Sequence, residues 1–327
     1  MTFTIACLLT LISVDPLQRF EATQPHMGTS FAISLYAPDR ATADKCFAAA
    51  FNCVAELNRI MSDYDPESEV SRLSSSSPHA TPVQVSDDLF KVLWQAHRLS
   101  VETEGAFDVT VGPLTKLWRR ARRRKQLPDA TRLAKARASV GYKLLKLGPD
   151  DQTAQLVRAG MRLDLGGIAK GHAVDEAMAA IRTFGVTQVL VNAGGDIVIG
   201  DAPPGELGWK IGVAALQPDE PPSQVLTLVD CSVATSGDAW QYVELGGKRY
   251  SHILDPRTGL GLTRRSSVTI IAPSGLLADS LASAVSVLGP ERGIELLDKS
   301  PTISGVMIVK AGAETLTHTS SEFPSVD

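Results

Sequence analysis

The arrangement of strand-like segments is the feature that most restricts what this chain can fold into. Residues 187–200, TQVLVNAGGDIVIG, predict two strands joined at a Gly-Gly turn, and four further strands are predicted for WKIGVA, VLTLVD, SVTIIA and ISGVMIVK. Short apolar runs that are rich in β-branched residues and bounded by turn residues are typical of strands. Because these strands cluster without strict alternation with helices, the pattern favours an α+β fold of mixed sheets with packed helices over a doubly wound sheet.

Helical spacing of apolar residues predicts the other regular elements. Residues 41–61 place apolar side chains on one helical face, after the strand-like MGTSFAISLYA. Ser86 is positioned to cap a second helix, and residues 279–288 and 291–297 predict two more. The polar segment MSDYDPESEVSRLSSSSP is predicted to be irregular. The Pro-bounded residues 119–141 are predicted to form a helical insertion.

Composition limits the kinds of partner. The chain has 327 residues, of which 44% are hydrophobic and 21% charged, with a formal net charge of -4. This length allows a large core in one big domain or two closely joined ones. The mildly acidic balance argues against nucleic acid as the main partner. The basic run RRARRRKQ at residues 119–126 has the opposite charge, but such runs are usually solvated faces, and we interpret this one in that way.

The cysteines predict neither a disulfide framework nor a zinc site. Cys46 and Cys53 are seven residues apart in a helical pattern, which separates them by about 10.5 Å along the axis. A disulfide requires Cα atoms within about 7 Å of each other. Cys7 and Cys231 show no partner spacing, and no CxxC motif occurs.

An apolar run near the N-terminus bears on localisation. Residues 3–14, FTIACLLTLISV, are too few to span a bilayer but fit the apolar region of a signal peptide. No Lys or Arg precedes the run, and too little apolar sequence precedes Cys7 for a good lipoprotein motif. We therefore expect residues 1–25 to be an export signal or a disordered N-terminus. The expected location is the periplasm or cell envelope, and the weak motif argues against a lipid anchor.

A Gly-rich segment could bind a phosphate or a metal ion. Residues 164–172, DLGGIAKGH, match neither the GxGxxG dinucleotide fingerprint nor the P-loop. Glycines nevertheless let a ligand approach the backbone closely, and the following helix offers free N–H groups. Lys170 adds a positive charge. The alternative interpretation is a Gly-rich turn that packs a helix on a sheet.

Two further segments hold candidate functional side chains. Asp279 and Ser283 are four residues apart in a predicted helix and so share one face, where a carboxylate and a hydroxyl can both reach Mg²⁺. Polar pairs at this spacing are also common without a ligand. His252 and Arg257 lie in YSHILDPRTGLGL, residues 250–262, together with turn-forming Ser, Asp, Pro and Gly. That combination suggests a site for anions or protons, and the alternative is a polar surface loop.

Eight motifs occur in one order along nearly the whole chain. In order and spacing they resemble the ApbE family of flavin transferases, the FAD:protein FMN transferases, over residues 26–312. The motifs are MGT at Met27, MSDYDPESEVSRLS at Met61, GAFDVTVGPL at Gly105, DLGGIAKGHAVD at Asp164, VNAGGD at Val191, SGD at Ser236, SHILDPRTG at Ser251 and ADSLASAVSVLG at Ala278.

The resemblance implies a fold, an activity and partners. Members of the family have an α+β fold related to the T-fold, and they use Mg²⁺ to split FAD at its pyrophosphate. They attach FMN to a Thr or Ser of an acceptor protein and release AMP, and some mainly hydrolyse FAD to FMN and AMP. Exported, membrane-associated members are common, so peripheral membrane association is implied here. An FAD pyrophosphatase and a non-enzymatic flavin-binding protein are the alternative functions.

The resemblance also implies the domain limits and the site residues. Residues 26–315 would form the flavin transferase domain, and residues 316–327 a C-terminal tail. His252 corresponds to the family's proposed catalytic base. Mg²⁺ would be held by the carbonyl of Gly167 with Asp279 and Ser283, where the family usually has Thr in place of the serine. His172 replaces a Tyr of the family and receives no role. The residues implied to contact FAD are Met27, Tyr64, Ala106, Phe107, Asp108, Asp164, Lys170 and Ile253.

Overall fold

An eight-stranded antiparallel sheet forms the centre of the structure, a computed structural model that describes residues 16–217, 219–238 and 241–324. The helices, in chain order, are α1 (Arg40–Met61), α2 (Glu69–Ser75), α3 (Asp87–Glu102), α4 (Gly112–Arg124), α5 (Ala130–Arg137), α6 (Ala169–Arg182), α7 (Gly275–Leu288) and α8 (Pro290–Leu297). The strands are β1 (Gln18–His26), β2 (Thr29–Ala37), β3 (Val83–Gln84), β4 (Leu145–Gly148), β5 (Thr153–Leu156), β6 (Val189–Ala193), β7 (Asp196–Ile199), β8 (Trp209–Val213), β9 (Gln224–Leu228), β10 (Cys231–Gly237), β11 (Tyr242–Leu245), β12 (Lys248–Ser251), β13 (Leu254–Asp255), β14 (Leu260–Gly261), β15 (Ser266–Ala272), β16 (Ser304–Ala311) and β17 (Glu314–Thr319).

The central sheet has the strand order β1-β2-β6-β7-β10-β15-β16-β17. Two tight turns lie at the same end of this sheet, because Phe31 of β2 pairs with Ala193 of β6. The first turn, Met27–Gly28, joins β1 to β2 with φ angles of 48° and 74°. The second, Gly194–Gly195, joins β6 to β7 with φ angles of 65° and 105°. Paired positive φ angles suit the right-handed twist of a hairpin.

Each face of the central sheet is covered by a different layer. On one face α6 packs between α1 and α7. In this layer α1 lies over β1 and β2, α6 over β6 and β7, and α7 over β7, β10 and β15. The alternating residues of β2 that point to this layer are fully buried, as the period of a strand requires. On the other face the β8–β9 hairpin places Trp209 and Ile211 against Ile199 and Val233. The middle strands of the sheet are therefore covered on both faces, while the edge strands β1 and β17 are largely exposed.

A smaller lobe forms around α4, α5 and the short hairpins β11–β12 and β13–β14. Its core contains Leu114, Trp118 and Ala121 of α4, which contact Tyr250 and Leu254 of the hairpin region. The indole Nε1 of Trp118 donates a hydrogen bond to the carbonyl of Gly259 at 2.8 Å. The basic helix α4 is thus attached to the turn that follows His252.

Most of the predicted elements are confirmed. The mixed helix and sheet content agrees with the α+β prediction, and helices occur where they were predicted in α1, α3, α7 and α8. Ser86 caps α3 by accepting a hydrogen bond from the Leu89 amide. The predicted insertion forms two helices, and the first of them begins earlier, at Gly112. Cys46, Cys53 and Cys231 are free thiols, as expected.

The polar segment that was predicted to be irregular contains a helix, so that prediction is wrong. Ser68 caps α2 by accepting a hydrogen bond from the Ser71 amide, and Glu69 lies favourably in the first turn. Val70 and Leu73 are buried on its inner face. Two apolar residues in a serine-rich stretch are a weak signal, and tertiary packing supplies the rest of the stabilisation.

The ends of the folded region also differ from the expected limits. β1 belongs to the central sheet and begins at Gln18, before the expected domain start at residue 26. β17 closes the other edge of the sheet and ends at Thr319, within the segment expected to be a tail. The apolar run with Cys7 lies outside the described residues. Among the helices that the structure describes, none is long and apolar enough to cross a membrane.

Candidate active site

The first turn of α6 is pressed against the start of α7, and this contact builds the site. A Cβ atom at Gly171 would lie 2.0 Å from the carbonyl oxygen of Gly275, so only glycine fits there. The Gly171 amide donates to Oδ2 of Asp279 at 3.1 Å. The Asp175 carboxylate accepts from the amides of Gly275 and Leu276 at 2.7 and 3.0 Å. The helices therefore cross in a fixed geometry that holds Asp279 against the Gly-rich turn.

Three residues implied to bind a metal ion come together at this crossing. Asp279 is 3% exposed, and Ser283 follows one turn later on the same face of α7. A Cβ atom at Gly167 would lie 2.7 Å from Ser283 Oγ and 3.6 Å from the Phe107 ring. The hydroxyl of Ser236, at the end of β10, lies 3.4 Å from Ser283 Oγ. Carboxylate, hydroxyl and backbone oxygens are the donors that Mg²⁺ prefers, so the residues present fit that ion.

Lys170 adds a positive charge between two buried carboxylates. Its Nζ forms an ion pair with Asp196 and lies 4.0 Å from Oδ2 of Asp279. Burial raises the pKa of Asp279, while the charge of Lys170 opposes that rise. When both carboxylates are ionised, one ammonium cannot balance them, and the remaining negative charge favours a further cation. Asp196 was missed as a site residue, although it ends the VNAGGD motif.

Tyr64 and Asp164 lie at a second part of the site, where they are joined by Arg119. The Arg119 guanidinium lies 4.2 Å from the centroid of the Tyr64 ring. Its Nη1 binds Asp63 at 2.5 Å, and its Nη2 binds Asp164 at 3.1 Å. Together with Arg122 and Arg123, Tyr64 and Arg119 line a cavity of about 430 Å³.

The interpretation of the whole basic run as a solvated face is therefore wrong for Arg119. Arg120, Arg123 and Arg124 are exposed, but Arg119 lies beside the buried stripe of α4 and turns toward the site. The amphipathic spacing of Leu114, Trp118 and Ala121 could have indicated this position, because a residue next to a buried helical stripe is half-buried.

The Ala106–Phe107–Asp108 triplet is buried, and its members face different surroundings. Phe107 lies beside Gly167, close to Ser283 of α7. Asp108 accepts hydrogen bonds from the amide and hydroxyl of Thr110 at 2.8 and 2.7 Å, and burial raises its pKa. It lines a separate cavity of about 470 Å³ with Arg137 and Arg257. Within the part of the chain that the structure describes, no hydrogen bond or ion pair joins Asp108 to Lys170 or Asp279.

Two other residues implied to contact FAD lie at the edges of the site. Met27 is in the β1–β2 turn, beside the β6–β7 turn, because a Cβ atom at Gly194 would lie 2.3 Å from Thr29 Oγ1. This position brings Met27 to the sheet end that holds Asp196. Ile253 is half-buried next to His252, and its carbonyl accepts from the Leu262 amide at 2.9 Å.

His252 follows β12 and has a defined proton arrangement. Its Nδ1 lies 3.0 Å from the carbonyl of Gln241, and a carbonyl can only accept, so Nδ1 is the protonated nitrogen. In the neutral ring Nε2 then holds the lone pair and can act as a base. His252 is exposed to solvent overall, although protein atoms crowd around the ring and partly desolvate it. Burial by the surrounding protein is the main reason that the pKa of His252 lies below its usual value.

Charges around His252 connect it to the rest of the site. The positive charges of Arg122 and Lys170 also lower the pKa of His252, while its hydrogen bond to Gln241 and the charge of Asp238 oppose this effect. These charged side chains therefore belong to the electrostatic surroundings of the imidazole. The arrangement keeps the ring neutral, which a general base requires.

One ion pair ties the His252 hairpin to the central sheet. Arg249 of β12 donates from Nε to the Asp238 carboxylate at 2.7 Å and from Nη2 to the Asp238 carbonyl at 2.6 Å. Asp238 follows β10, whose Ser236 contacts Ser283 of α7. The SGD motif thus connects α7 with the hairpin that supports His252. Arg257, by contrast, pairs with Asp255 of its own turn at 2.9 and 3.0 Å and stabilises that turn.

A further polar group lies on the side of α6 that faces α3. His172 is fully buried, with Nε2 2.9 Å from Asp88 and Nδ1 3.7 Å from Glu176. Lys91 lies 2.6 Å from the same Glu176 carboxylate. The two ring nitrogens thus face different carboxylates, and the group joins α3 to α6 without contributing to the site around Asp279.

Comparisons with known proteins agree on one family. The sequence pattern of the ApbE family matches residues 27–307. A protein of Haemophilus influenzae named FAD:protein FMN transferase is 31% identical over 91% of this chain and 88% of its own length. One of the same name from Vibrio cholerae is 32% identical over 98% of this chain and 96% of its own length.

Solved structures show the same likeness in three dimensions. The flavin transferase ApbE of Vibrio cholerae superposes with a TM-score of 0.84 and 31% identity, over 94% of this chain and 99% of that one. The flavinyl transferase ApbE of Pseudomonas stutzeri, in its apo form, gives a TM-score of 0.83 and 28% identity, over 95% and 98% of the two chains. Since the family match includes the Gly-rich turn, the His252 hairpin and α7, and the fold agrees over nearly the whole chain, this protein belongs to the ApbE family.

Proposed function

We propose that this chain transfers FMN from FAD to a Thr or Ser hydroxyl of an acceptor protein, releases AMP, and requires Mg²⁺. The observation that supports this most is the charged group formed by Lys170, Asp196 and Asp279, in which the Lys170 ammonium lies 4.0 Å from the Asp279 carboxylate. His252, whose Nε2 keeps the lone pair, supplies a base whose protonation responds to the charge of Lys170. Relatives of similar length are named for this transfer.

The proposed reaction is a substitution at phosphorus. The acceptor hydroxyl oxygen forms a bond to the phosphorus on the FMN side of the pyrophosphate, and the bond from that phosphorus to the bridging oxygen breaks. AMP leaves with the bridging oxygen and its electron pair. His252 Nε2 takes the proton of the hydroxyl as the new bond forms. General bases of this kind typically contribute about 10²–10⁴-fold in rate.

Positive charge at the phosphates comes from two sources. When bound by Asp279, Ser283 and the carbonyl of Gly167, Mg²⁺ would supply neutralisation of the phosphate oxygens. Lys170 would orient the pyrophosphate, and the positive end of the α6 dipole would add to the attraction, since a helix N-terminus attracts anions. The free-energy cost of holding two buried carboxylates beside Lys170 is offset when the phosphates and the metal ion bind together.

The flavin is proposed to bind at the other part of the site. Tyr64 is 76% exposed and offers a free aromatic face for stacking. Asp164 lies within reach of the same cavity through Arg119. The distance between this part and the Lys170 cluster is bridged by the Gly-rich turn, which contains Asp164 at its start and Lys170 at its end. FAD would therefore lie along this turn.

FAD hydrolysis is the second candidate, and the exposure of His252 favours it. His252 is exposed to solvent, so water can take the place of the acceptor hydroxyl when no acceptor protein is bound. The same base and the same charged cluster would then give FMN and AMP.

One experiment separates these functions. The protein is incubated with FAD and Mg²⁺, with and without an acceptor protein, and AMP is measured together with the flavin that stays bound to precipitated acceptor. Transfer predicts equal amounts of AMP and acceptor-bound flavin, whereas hydrolysis predicts AMP with free FMN. The Asp279→Asn variant serves as the inactive control. FAD that stays intact under all conditions would contradict both functions.

A further inference from the structure

The aromatic ring of Tyr64 needs support to be a binding surface. It follows α1 and precedes α2, and 76% of its surface is exposed. Its backbone amide makes only a long contact of 3.4 Å with Ser62 Oγ. An exposed side chain in a loop loses rotamer freedom when a ligand stacks on it, which weakens binding. A group that holds the ring in advance would remove part of that cost.

Arg119 has the geometry of such a group. Its guanidinium lies over the Tyr64 ring at 4.2 Å and is held by Asp63, the residue before the tyrosine, and by Asp164, at the start of the Gly-rich turn. Asp164 is itself fixed, because its Oδ1 accepts from the Gly166 amide at 2.9 Å. The side chains of Arg119, Asp63 and Asp164 are 23%, 18% and 9% exposed. Ion pairs this shielded are less weakened by solvent than exposed ones.

We propose that Arg119 is a positioning residue for FAD. Its guanidinium occupies one face of the Tyr64 ring and so directs the flavin to stack on the opposite face. The proposal rests on the proposed function, in which Tyr64 and Asp164 contact FAD. Arg119 joins the loop after α1 to the Gly-rich turn, so the flavin surface and the pyrophosphate-binding end are held at one distance. Arginine suits this role because its planar fork can bind two carboxylates and stack on a ring at the same time.

The other arginines of α4 provide matched controls. Arg120 is the next residue on the helix and is exposed, and the charges of Arg124, Arg132 and Arg123 lower the pKa of its guanidinium. Substitution of Arg120 by Gln changes the net charge as much as substitution of Arg119 does. A general electrostatic effect of the basic helix would therefore appear equally in both variants.

The test is FAD binding, measured by the quenching of flavin fluorescence in Mg²⁺-free buffer so that FAD is not consumed. Arg119→Gln is expected to raise the Kd for FAD about tenfold, the size of one lost charge-assisted contact. Arg119→Lys keeps the charge without the fork and should still bind several times more weakly than the wild type. Arg120→Gln should bind like the wild type. In turnover assays Arg119→Gln should raise KM and leave kcat within about twofold.

A double-mutant cycle shows whether Arg119 acts through the tyrosine. In a Tyr64→Ala background, Arg119→Gln is expected to raise the Kd for FAD by a much smaller factor than it does in the wild-type background. If the two factors multiply, Arg119 acts independently of Tyr64 and the proposal is wrong. If Arg119→Gln is poorly folded, Arg119→Lys and Asp63→Asn replace it, and wild-type affinity in both would also overturn the proposal. Failure of the wild type to bind FAD would instead contradict the proposed function.

Discussion

At the scale of single residues, the proposed reaction depends on a base and a carboxylate whose protonation is set by their surroundings. His252 has a lowered pKa, chiefly through burial, and donates from Nδ1 to Gln241. Asp279 is deeply buried, and its ionised form depends on Lys170 and the Gly171 amide. Both groups can therefore be examined by substitutions that change proton transfer or charge and keep the packing.

The pH dependence of the reaction tests His252. A base must be unprotonated, and because its folded pKa is below the usual value of about 6.5, the rate should stay on its plateau at pH 7 and fall only at more acidic pH. His252→Ala is expected to lower kcat by about 10²–10⁴-fold, to keep FAD affinity, and to lose this acidic limb. The measurement is the kcat profile between pH 5 and 8. An unchanged acidic limb in the variant would assign the titration to another group.

Substitution of Asp279 tests the cation cluster. Asp279→Asn keeps the size and one hydrogen-bond acceptor for the Gly171 amide but removes the charge. We expect at least a hundredfold loss of activity at low Mg²⁺, since even groups behind the direct ligands are worth about 10–100-fold. Ser283→Thr keeps the hydroxyl and should remain active. Isothermal titration with Mg²⁺ checks the binding directly, and wild-type affinity in Asp279→Asn would contradict the assignment.

Arg119 differs from the site residues found by sequence analysis in how far away its partners lie along the chain. Gly167, Lys170, Asp279 and Ser283 lie in local motifs, and the structure brings them together at one helix crossing. Arg119 was missed because its partners, Asp63 and Asp164, are 56 and 45 residues away in sequence. Local spacing does not reveal such pairs.

At the scale of elements, the lobe of α4 and α5 supports the turn after His252. Trp118 of α4 packs on Tyr250, with ring centroids 5.2 Å apart, and donates to the Gly259 carbonyl. Gly259 has a positive φ of 76°, and a Cβ there would lie 2.9 Å from Arg137. Arg137 in turn donates to the Arg257 carbonyl at 2.7 Å. Helices α4 and α5 thus hold the turn that follows His252.

Removal of the indole donor tests this support. Trp118→Phe leaves the buried Gly259 carbonyl without its partner and should lower the free energy of unfolding by about 1–3 kcal/mol. The half-exposed Trp94 of α3 provides the control, and Trp94→Phe should change stability by less than about 0.5 kcal/mol. Urea unfolding of both variants gives the two values. Equal stability of the variants would mean that the Trp118 hydrogen bond does not stabilise the lobe.

Helices were predicted correctly where the hydrophobic pattern extends over many residues, and one was missed where the pattern covers only a few. α1 and α3 have many buried positions at helical spacing and clear capping residues, so their limits follow from the sequence. α2 has seven residues in a serine-rich segment, and its helical form depends on burial against the core. The pairing of β2 with β6 joins residues far apart in the sequence, and no local pattern specifies it.

At the scale of the whole molecule, the candidate site takes residues from the central sheet, the helical layer and the small lobe. It takes Met27 from a sheet turn, Tyr64 from the loop after α1, Lys170 from α6, Asp279 from α7 and His252 from the small lobe. A ligand that contacts all of these elements favours the fully folded state over any partly opened one, because it binds only when they are assembled.

FAD should therefore stabilise the entire protein. At a free concentration 100 times its Kd, the stabilisation is expected to be about 2.7 kcal/mol, which appears as a rise in Tm that grows with the FAD concentration. Lys170→Met should reduce that rise, because it removes the positive charge expected to meet the pyrophosphate. Differential scanning fluorimetry against AMP and FMN alone shows whether both halves of FAD contribute. A Tm that does not change with FAD would mean that the assembled site does not bind it.

The intact mass of an acceptor protein, after incubation with this protein, FAD and Mg²⁺, is the decisive test of the proposed transfer. We expect a mass gain equal to one FMN residue per modified hydroxyl and no gain when the acceptor Thr or Ser is replaced by Val or Ala. The gain should be strongly slowed with His252→Ala or Asp279→Asn. An acceptor that remains unmodified while FAD is converted to free FMN and AMP would contradict protein transfer and identify the enzyme as a hydrolase.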